Sequence, residues 1–165
     1  MSNVPMTPEG KEALAAELTH LKLNVRLAII QDIEEARAHG DISENSEYED
    51  AKERQALNEG RIQDIESKLS RAQVIDVTQL PGVELDADDE EKVVVFGSTV
   101  HLEDDEENEL VYRIVGSDES SVASGKISYE SPIARALMGK APGDEVVVQT
   151  PKGKRTLEII EVHYS

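Results

Sequence analysis

The sequence predicts an α+β protein of two domains, an antiparallel coiled-coil hairpin followed by an antiparallel sheet with one short helix against it. Three observations carry that prediction. Residues 7 to 72 are rich in helix formers and hold no proline after Pro8. Residues 77 to 92 break the pattern with Pro81-Gly82 and the acidic run Asp86 to Glu91. Beyond them, Val, Ile and Tyr gather in short runs separated by turn residues. The predicted divisions are 1–76 for the hairpin, 77–92 for an acidic linker and 93–165 for the sheet domain.

The hairpin rests on two apolar series. Leu14, Leu18, Leu21, Val25 and Ala28 step by four, three, four and three, a heptad seam that continues imperfectly through Ile33 and Ala36. The second series runs Tyr48, Ala51, Gln55, Asn58, Ile62, Ile65, Leu69, Ala72, with polar Gln55 and Asn58 weakening its middle. Between them Gly40 can take the left-handed conformation that ends a helix, while Asp41, Ser43 and Asn45 suit the start of the next. Two amphipathic helices joined so closely must run antiparallel with their seams facing. Arms of about 33 residues reach on the order of 50 Å at 1.5 Å per residue.

In the second half, residues 92 to 102 and 109 to 115 read as strands, as do Glu145 to Thr150 and Thr156 to Tyr164 around the turn Pro151-Lys152-Gly153-Lys154. Ser131 as N-cap, Pro132 at the first helical position and Gly139 at the end frame one short helix.

Composition narrows the function. The net charge is −18, so sequence-independent nucleic-acid binding, which needs clustered Lys and Arg, is not expected. Its field favours a basic partner surface instead. The absence of Cys excludes disulfides, thiolate zinc sites and cysteine nucleophiles. Apolar runs stop at four residues (Leu27 to Ile30, Val93 to Phe96), far short of the roughly 20 a membrane helix needs. Neither a basic start nor a long apolar stretch marks a signal peptide, so a cytoplasmic location is expected. One Phe and four Tyr leave little for an aromatic-lined pocket.

Candidate chemistry is sparse. His20, His39, His101 and His163 show no ligand spacing and read as ordinary surface or packing residues, with no shared metal site. No nucleophile elbow and no phosphate-binding glycine loop is present. What remains is the hairpin turn, where Asp41 and Glu44 stand three apart. In one reading they are a capping pair at a helix start, Asp41 capping and Glu44 reaching back. In the other they are hard oxygen donors for Mg²⁺, an incomplete site that another molecule must complete. Spacing alone leaves both open.

A resemblance then enters. The stretch Glu35-Ala36-Arg37-Ala38-His39-Gly40-Asp41-Ile42-Ser43-Glu44-Asn45-Ser46-Glu47-Tyr48 resembles the tip of the bacterial Gre transcript cleavage factors. Glu59-Gly60-Arg61-Ile62, Phe96-Gly97-Ser98-Thr99-Val100, Tyr112-Arg113-Ile114-Val115-Gly116, Ser131-Pro132-Ile133-Ala134-Arg135 and Thr150-Pro151-Lys152-Gly153 extend it in order along nearly the whole chain. The resemblance implies a coiled-coil finger joined to a globular domain of FKBP-like fold that docks at the rim of RNA polymerase's secondary channel. It implies that Asp41 and Glu44 help hold a second, weakly bound Mg²⁺ in the polymerase active site, so that the polymerase cleaves backtracked nascent RNA at its 3′ end. The chain itself is then a monomeric accessory factor, neither an enzyme nor a holder of a cofactor alone. Arg37, Lys52 and Arg54 become candidates for the family's basic patch facing RNA, against the reading of a solvated face. For Tyr48, packing of the tip stands beside contact with RNA or polymerase. The sparse patch, ringed by Glu47, Glu49, Asp50 and Glu53, fits the family's A-type.

Two departures from the family's pattern stand out. Lys52 occupies a position where Arg is common, which forfeits a planar fork on phosphate. The acidic run at 86–91 is longer than the usual connector. Three rival readings follow. A channel-binding regulator that blocks without promoting cleavage has no need of both Asp41 and Glu44. A prolyl isomerase of the same fold requires an aromatic pocket, and fold does not carry function. A coiled-coil dimerisation module conflicts with the short turn.

Overall fold

The computed structural model describes residues 2–40, 45–80, 83, 88 and 91–164. The chain packs as two compact units, Met1–Asn3 with Lys11–Ala72 and Val4–Gly10 with Gln73–Ser165. No helix among the described residues is long and apolar enough to cross a membrane.

The first unit is the antiparallel hairpin. One arm is α1 (Pro8–His20), a π-helical turn over Leu21–Val25, and α2 (Arg26–Ala38); the other is α3 (Ser46–Ser70). Ion pairs cross between the arms at Arg61–Glu17 (2.7 Å), Lys22–Glu66 (2.9 Å), Arg26–Glu59 (2.7 Å) and Arg54–Asp32 (3.1 Å). The Arg26 contact is bidentate, Nε and Nη2 each donating to one oxygen of Glu59.

The predicted seam holds on α3, where Ala51, Asn58, Ile62 and Ile65 are buried. On the other arm it needs one correction. The heptad places Ala28 in the seam, but Ala28 is exposed and Ile29, at 4% exposure, is buried with Ile33 and Ala36. The cause is the π-turn. There the Arg26 N–H reaches back five residues to the Leu21 carbonyl, which adds one residue to the turn and advances the buried face by one position. Asn58, which looks like a flaw in the opposite seam, is its partner: its side-chain amide donates to the same Leu21 carbonyl at 3.3 Å.

The second unit is a five-stranded sheet in the order β5-β4-β3-β7-β6. Its strands are β3 (Thr99–Asp104), β4 (Glu109–Val115), β5 (Lys126–Ser128), β6 (Glu145–Thr150) and β7 (Gly153–His163). The predicted antiparallel sheet is in fact mixed, because β5 runs parallel to β4 with Ile114 opposite Ile127. Two 3₁₀ turns, Ser117–Glu119 and Val122–Ser124, and the left-handed Gly125 carry the chain back to begin β5 in that direction. The strand predicted from Lys92 starts only at Thr99; Val94 and Phe96 still enter the core. Helix α4 (Pro132–Leu137) forms as predicted, with the Ser131 hydroxyl accepting from the Ala134 N–H at 3.2 Å. It sets fully buried Ala134 and Leu137 against Val100, Leu102, Ile114 and Ile159.

Two short strands go unpredicted, β1 (Val4–Met6) and β2 (Ala72–Val74), which pair with each other. Val4–Gly10 joins the sheet unit through Glu119, whose carboxylate accepts from the Thr7 N–H (3.0 Å), the Thr7 hydroxyl and the Gly116 N–H (3.1 Å). A Cβ on Gly10 would lie 2.1 Å from Glu119 Cδ, so glycine is what lets the segment close on that carboxylate.

Asp104, with 1% of its side chain exposed, is a buried carboxylate answered on every side. It accepts from the backbone N–H of Asn108 (2.8 Å) and of Glu106 (2.9 Å), from the Asn108 amide and from the Arg155 guanidinium. The Asn108 N–H leads in holding its carboxyl below the ordinary value, against the opposing effect of burial.

Two outcomes are expected. Asn58→Ala loses about 0.5–1.5 kcal/mol in urea unfolding, the net worth of one hydrogen bond, because the Leu21 carbonyl keeps the Arg26 N–H. A lowered folded-state pKa adds stability that is complete above about pH 4 and is lost as pH falls through the folded-state value. The urea midpoint of the wild type therefore drops more steeply with acidification below that point than that of Asp104→Asn.

Candidate functional site

Asp41 and Glu44 lie outside the described residues; the structure defines what flanks them. On one side α2 ends at Ala38, and the chain reaches Gly40 at φ 125°, in the left-handed region. On the other side α3 begins at Ser46. Its N-cap is Asn45, four residues beyond Asp41, the cap in one of the two readings of the Asp41–Glu44 pair. The reason is that Asn45 serves both arms. Its Oδ1 accepts from the Tyr48 N–H at 3.2 Å, and its Nδ2 donates to the Ala36 carbonyl at 2.6 Å. His39 Nδ1 and Glu47, 3.1 Å apart, add a second tie across the same opening. The ends of the two arms are thus tied to each other by Asn45 and by His39 with Glu47.

Below the opening, the half-buried Tyr48 ring packs on the small cluster of Ile29, Ile33 and Ala51. The Arg37 guanidinium sits over that ring, 5.8 Å from its centre. The structure therefore joins Arg37 and Tyr48, two residues the sequence singles out separately. It does not gather the three cations into one patch. Lys52 donates to Gln55 along its own helix (2.9 Å), whereas Arg54 turns across the hairpin to Asp32. Residues two apart on a helix face away from each other, which accounts for the split. Arg54 joins Asp32, Glu35, His39, Glu47 and Asp50 around one recess of predominantly acidic lining.

Family models match both parts of the chain. Residues 4–74 match "Transcription elongation factor, N-terminal" and residues 89–164 match "Transcription elongation factor, GreA/GreB, C-term". The chain belongs to the GreA/GreB family of transcription elongation factors. It is 54% identical to transcription elongation factor GreA of Francisella philomiragia over 162 residues, covering 98% of this chain and 96% of that one. It is 53% identical to GreA of Francisella tularensis subsp. novicida over the same shares. These relatives are of the A-type that the sparse cations favour. Among solved structures, the GreA factor homolog 1 (Gfh1) of Thermus thermophilus is 30% identical, covering 98% of this chain and 99% of that one, at a TM-score of 0.42. A GreA/GreB factor from Nitrosomonas europaea is 23% identical over 99% and 100%, at 0.41.

Sequence reasoning overlooked Asn45 as the residue that ties the arms. An Asn three positions before Tyr48 is the ordinary signal for an N-cap, but its bond to the Ala36 carbonyl requires the folded hairpin. It also overlooked the approach of His101 to His163, whose rings meet edge to face at 4.9 Å despite 62 positions of separation. Asn45→Ala is expected to lower stability by about 1 kcal/mol in urea unfolding and to speed amide exchange in the first turn of α3.

Proposed function

We propose that this transcription elongation factor acts on RNA polymerase as an accessory protein. In this reading the hairpin enters the polymerase's secondary channel, and the sheet unit docks outside it. Asp41 and Glu44 supply carboxylate oxygens to the polymerase active site, where nascent RNA of a backtracked complex is cut near its 3′ end. The observation that carries the proposal is family membership over both units, with the flanks of residues 41–44 tied together by Asn45 and His39.

The donor set fits the chemistry. Two carboxylates are hard ligands of the kind Mg²⁺ takes, but too few to hold it without further donors. Bound between the two proteins, a second Mg²⁺ would polarise the phosphodiester and activate a water. This chain's own residues do the positioning. The interhelical ion pairs and the Asn45 tether make the arms a firm carrier, and a site needs its ligands held to within about 0.5 Å. Arg37 over Tyr48 keeps a positive group beside the tip. The net charge of −18 opposes independent binding of RNA, so the factor is not a nuclease alone, and its place of action is the compartment of the polymerase.

The test uses a stalled, backtracked elongation complex carrying 3′-labelled RNA. Wild type with polymerase and Mg²⁺ is expected to release short labelled fragments, and wild type without polymerase none. The Asp41→Asn/Glu44→Gln double variant is expected to lose at least about 10–100-fold in cleavage rate, the range seen when even a supporting group of a metal site is removed. Its affinity for polymerase should stay close to wild type. Polymerase binding without cleavage by the wild type would instead identify a channel-blocking regulator. Loss of binding by the double variant would favour a purely structural role for Asp41 and Glu44.

A further inference from the structure

His101 on β3 and Glu161 and His163 on β7 converge on the outer face of the sheet. One ligand-capable atom of each lies within 4.8 Å of the others. The register explains the convergence. From Asp104 opposite Leu157 to Leu102 opposite Ile159 the strands pair one to one, and then His101 pairs with Glu161. Ile160 is the extra residue of a β-bulge. In an uninterrupted strand, with Ile159 inward, Glu161 and His163 would also point inward, because side chains alternate with a period of two. The bulge reverses that phase: Ile160 and Glu161 are both exposed, Val162 is buried at 1%, and His163 emerges beside His101. His163 Nε2 and the Glu161 carboxylate are 3.0 Å apart, and both side chains are about half exposed.

We propose that His101, Glu161 and His163 form a binding site for a borderline divalent transition ion of the Zn²⁺ type. Two imidazoles and one carboxylate are a donor set that such ions take, with a fourth position left to water. The choice of ion follows from the donors. Imidazole suits Zn²⁺, Ni²⁺ and Cu²⁺, whereas Mg²⁺ and Ca²⁺ require oxygen. Ligand atoms around tetrahedral zinc stand about 3.3 Å apart, given Zn–N bonds of about 2.0–2.1 Å. Side-chain rotation on two central, mutually paired strands closes the remaining gap without backbone movement. Glu103, paired with both Glu109 and Glu158, adds carboxylates on the same face and a negative field that attracts a cation. The site lies wholly within the sheet unit and is independent of the role proposed for Asp41 and Glu44.

The test is equilibrium dialysis of the full chain against Zn²⁺ in a large excess of Mg²⁺, which occupies carboxylate-only sites. One Zn²⁺ per chain is expected. His101→Asn and His163→Asn should each weaken binding at least about tenfold, and the double variant should abolish it. Circular dichroism checks that the variants are folded. A second measurement needs no variant: in the wild type, Zn²⁺ should shift the imidazole resonances of His101 and His163 while leaving those of His20 and His39 in place. Absence of saturable Zn²⁺ binding would overturn the proposal. So would unchanged affinity in the double variant, or shifts confined to His20 and His39.

Discussion

The hairpin depends on a shared acceptor, the Leu21 carbonyl, which receives both the Arg26 N–H and the Asn58 side chain. Two long helices stay in contact only while their apolar faces stay in phase, and a straight α-helix drifts from a seven-residue repeat. In this protein the correction is made in one step, at Leu21–Val25. Every buried contact nearer the tip, from Ile29 to Ala36, follows from that step. A π-turn loosens the local hydrogen-bond ladder, and Asn58 approaches the turn from the opposite arm. A polar residue in an apolar seam is thereby accounted for by what it faces.

The ion pairs between the arms act on a different level. Each is exposed enough that its own contribution to stability is small. Their value is in alignment, because Arg26–Glu59 and Arg61–Glu17 admit only one axial offset between the arms. Placed on either side of the π-turn, they fix the register that the apolar contacts then fill. Asn45 repeats the principle at the far end with a single side chain. The sheet unit relies instead on a core of aliphatic residues, with Phe96 meeting Tyr129 edge-on and Asp104 pinning the β3–β4 turn.

Much of this was legible from residue order, and the exceptions share a cause. The seam of α3, the Ser131-Pro132 helix start and the strand Glu145–Thr150 come from local signals: periodicity, a cap and a turn. The shift from Ala28 to Ile29 was hidden because a heptad pattern assumes constant helical pitch. The parallel β5 was hidden because strand direction depends on how the chain returns, and its three residues carry little pattern of their own. Val4–Gly10 and the meeting of His101 with His163 depend on partners more than 60 positions away. At the tip, Arg37 and Tyr48 were each readable as candidates, and their stacking needed the folded hairpin. Separation of Arg54 from Lys52 needed the opposing Asp32.

The β7 bulge and the π-turn are the same device in two kinds of secondary structure, a single extra residue that turns everything beyond it. Substitution within either segment changes one contact, whereas loss or gain of a residue re-aims a whole stretch of chain. Shortening β7 at Ile160 would drive Glu161 and His163 toward the core and push Val162 into water. In these two segments the length of the chain is therefore under tighter constraint than its composition. Insertions and deletions, more than point changes, separate sequences able to adopt this fold from those that only resemble it.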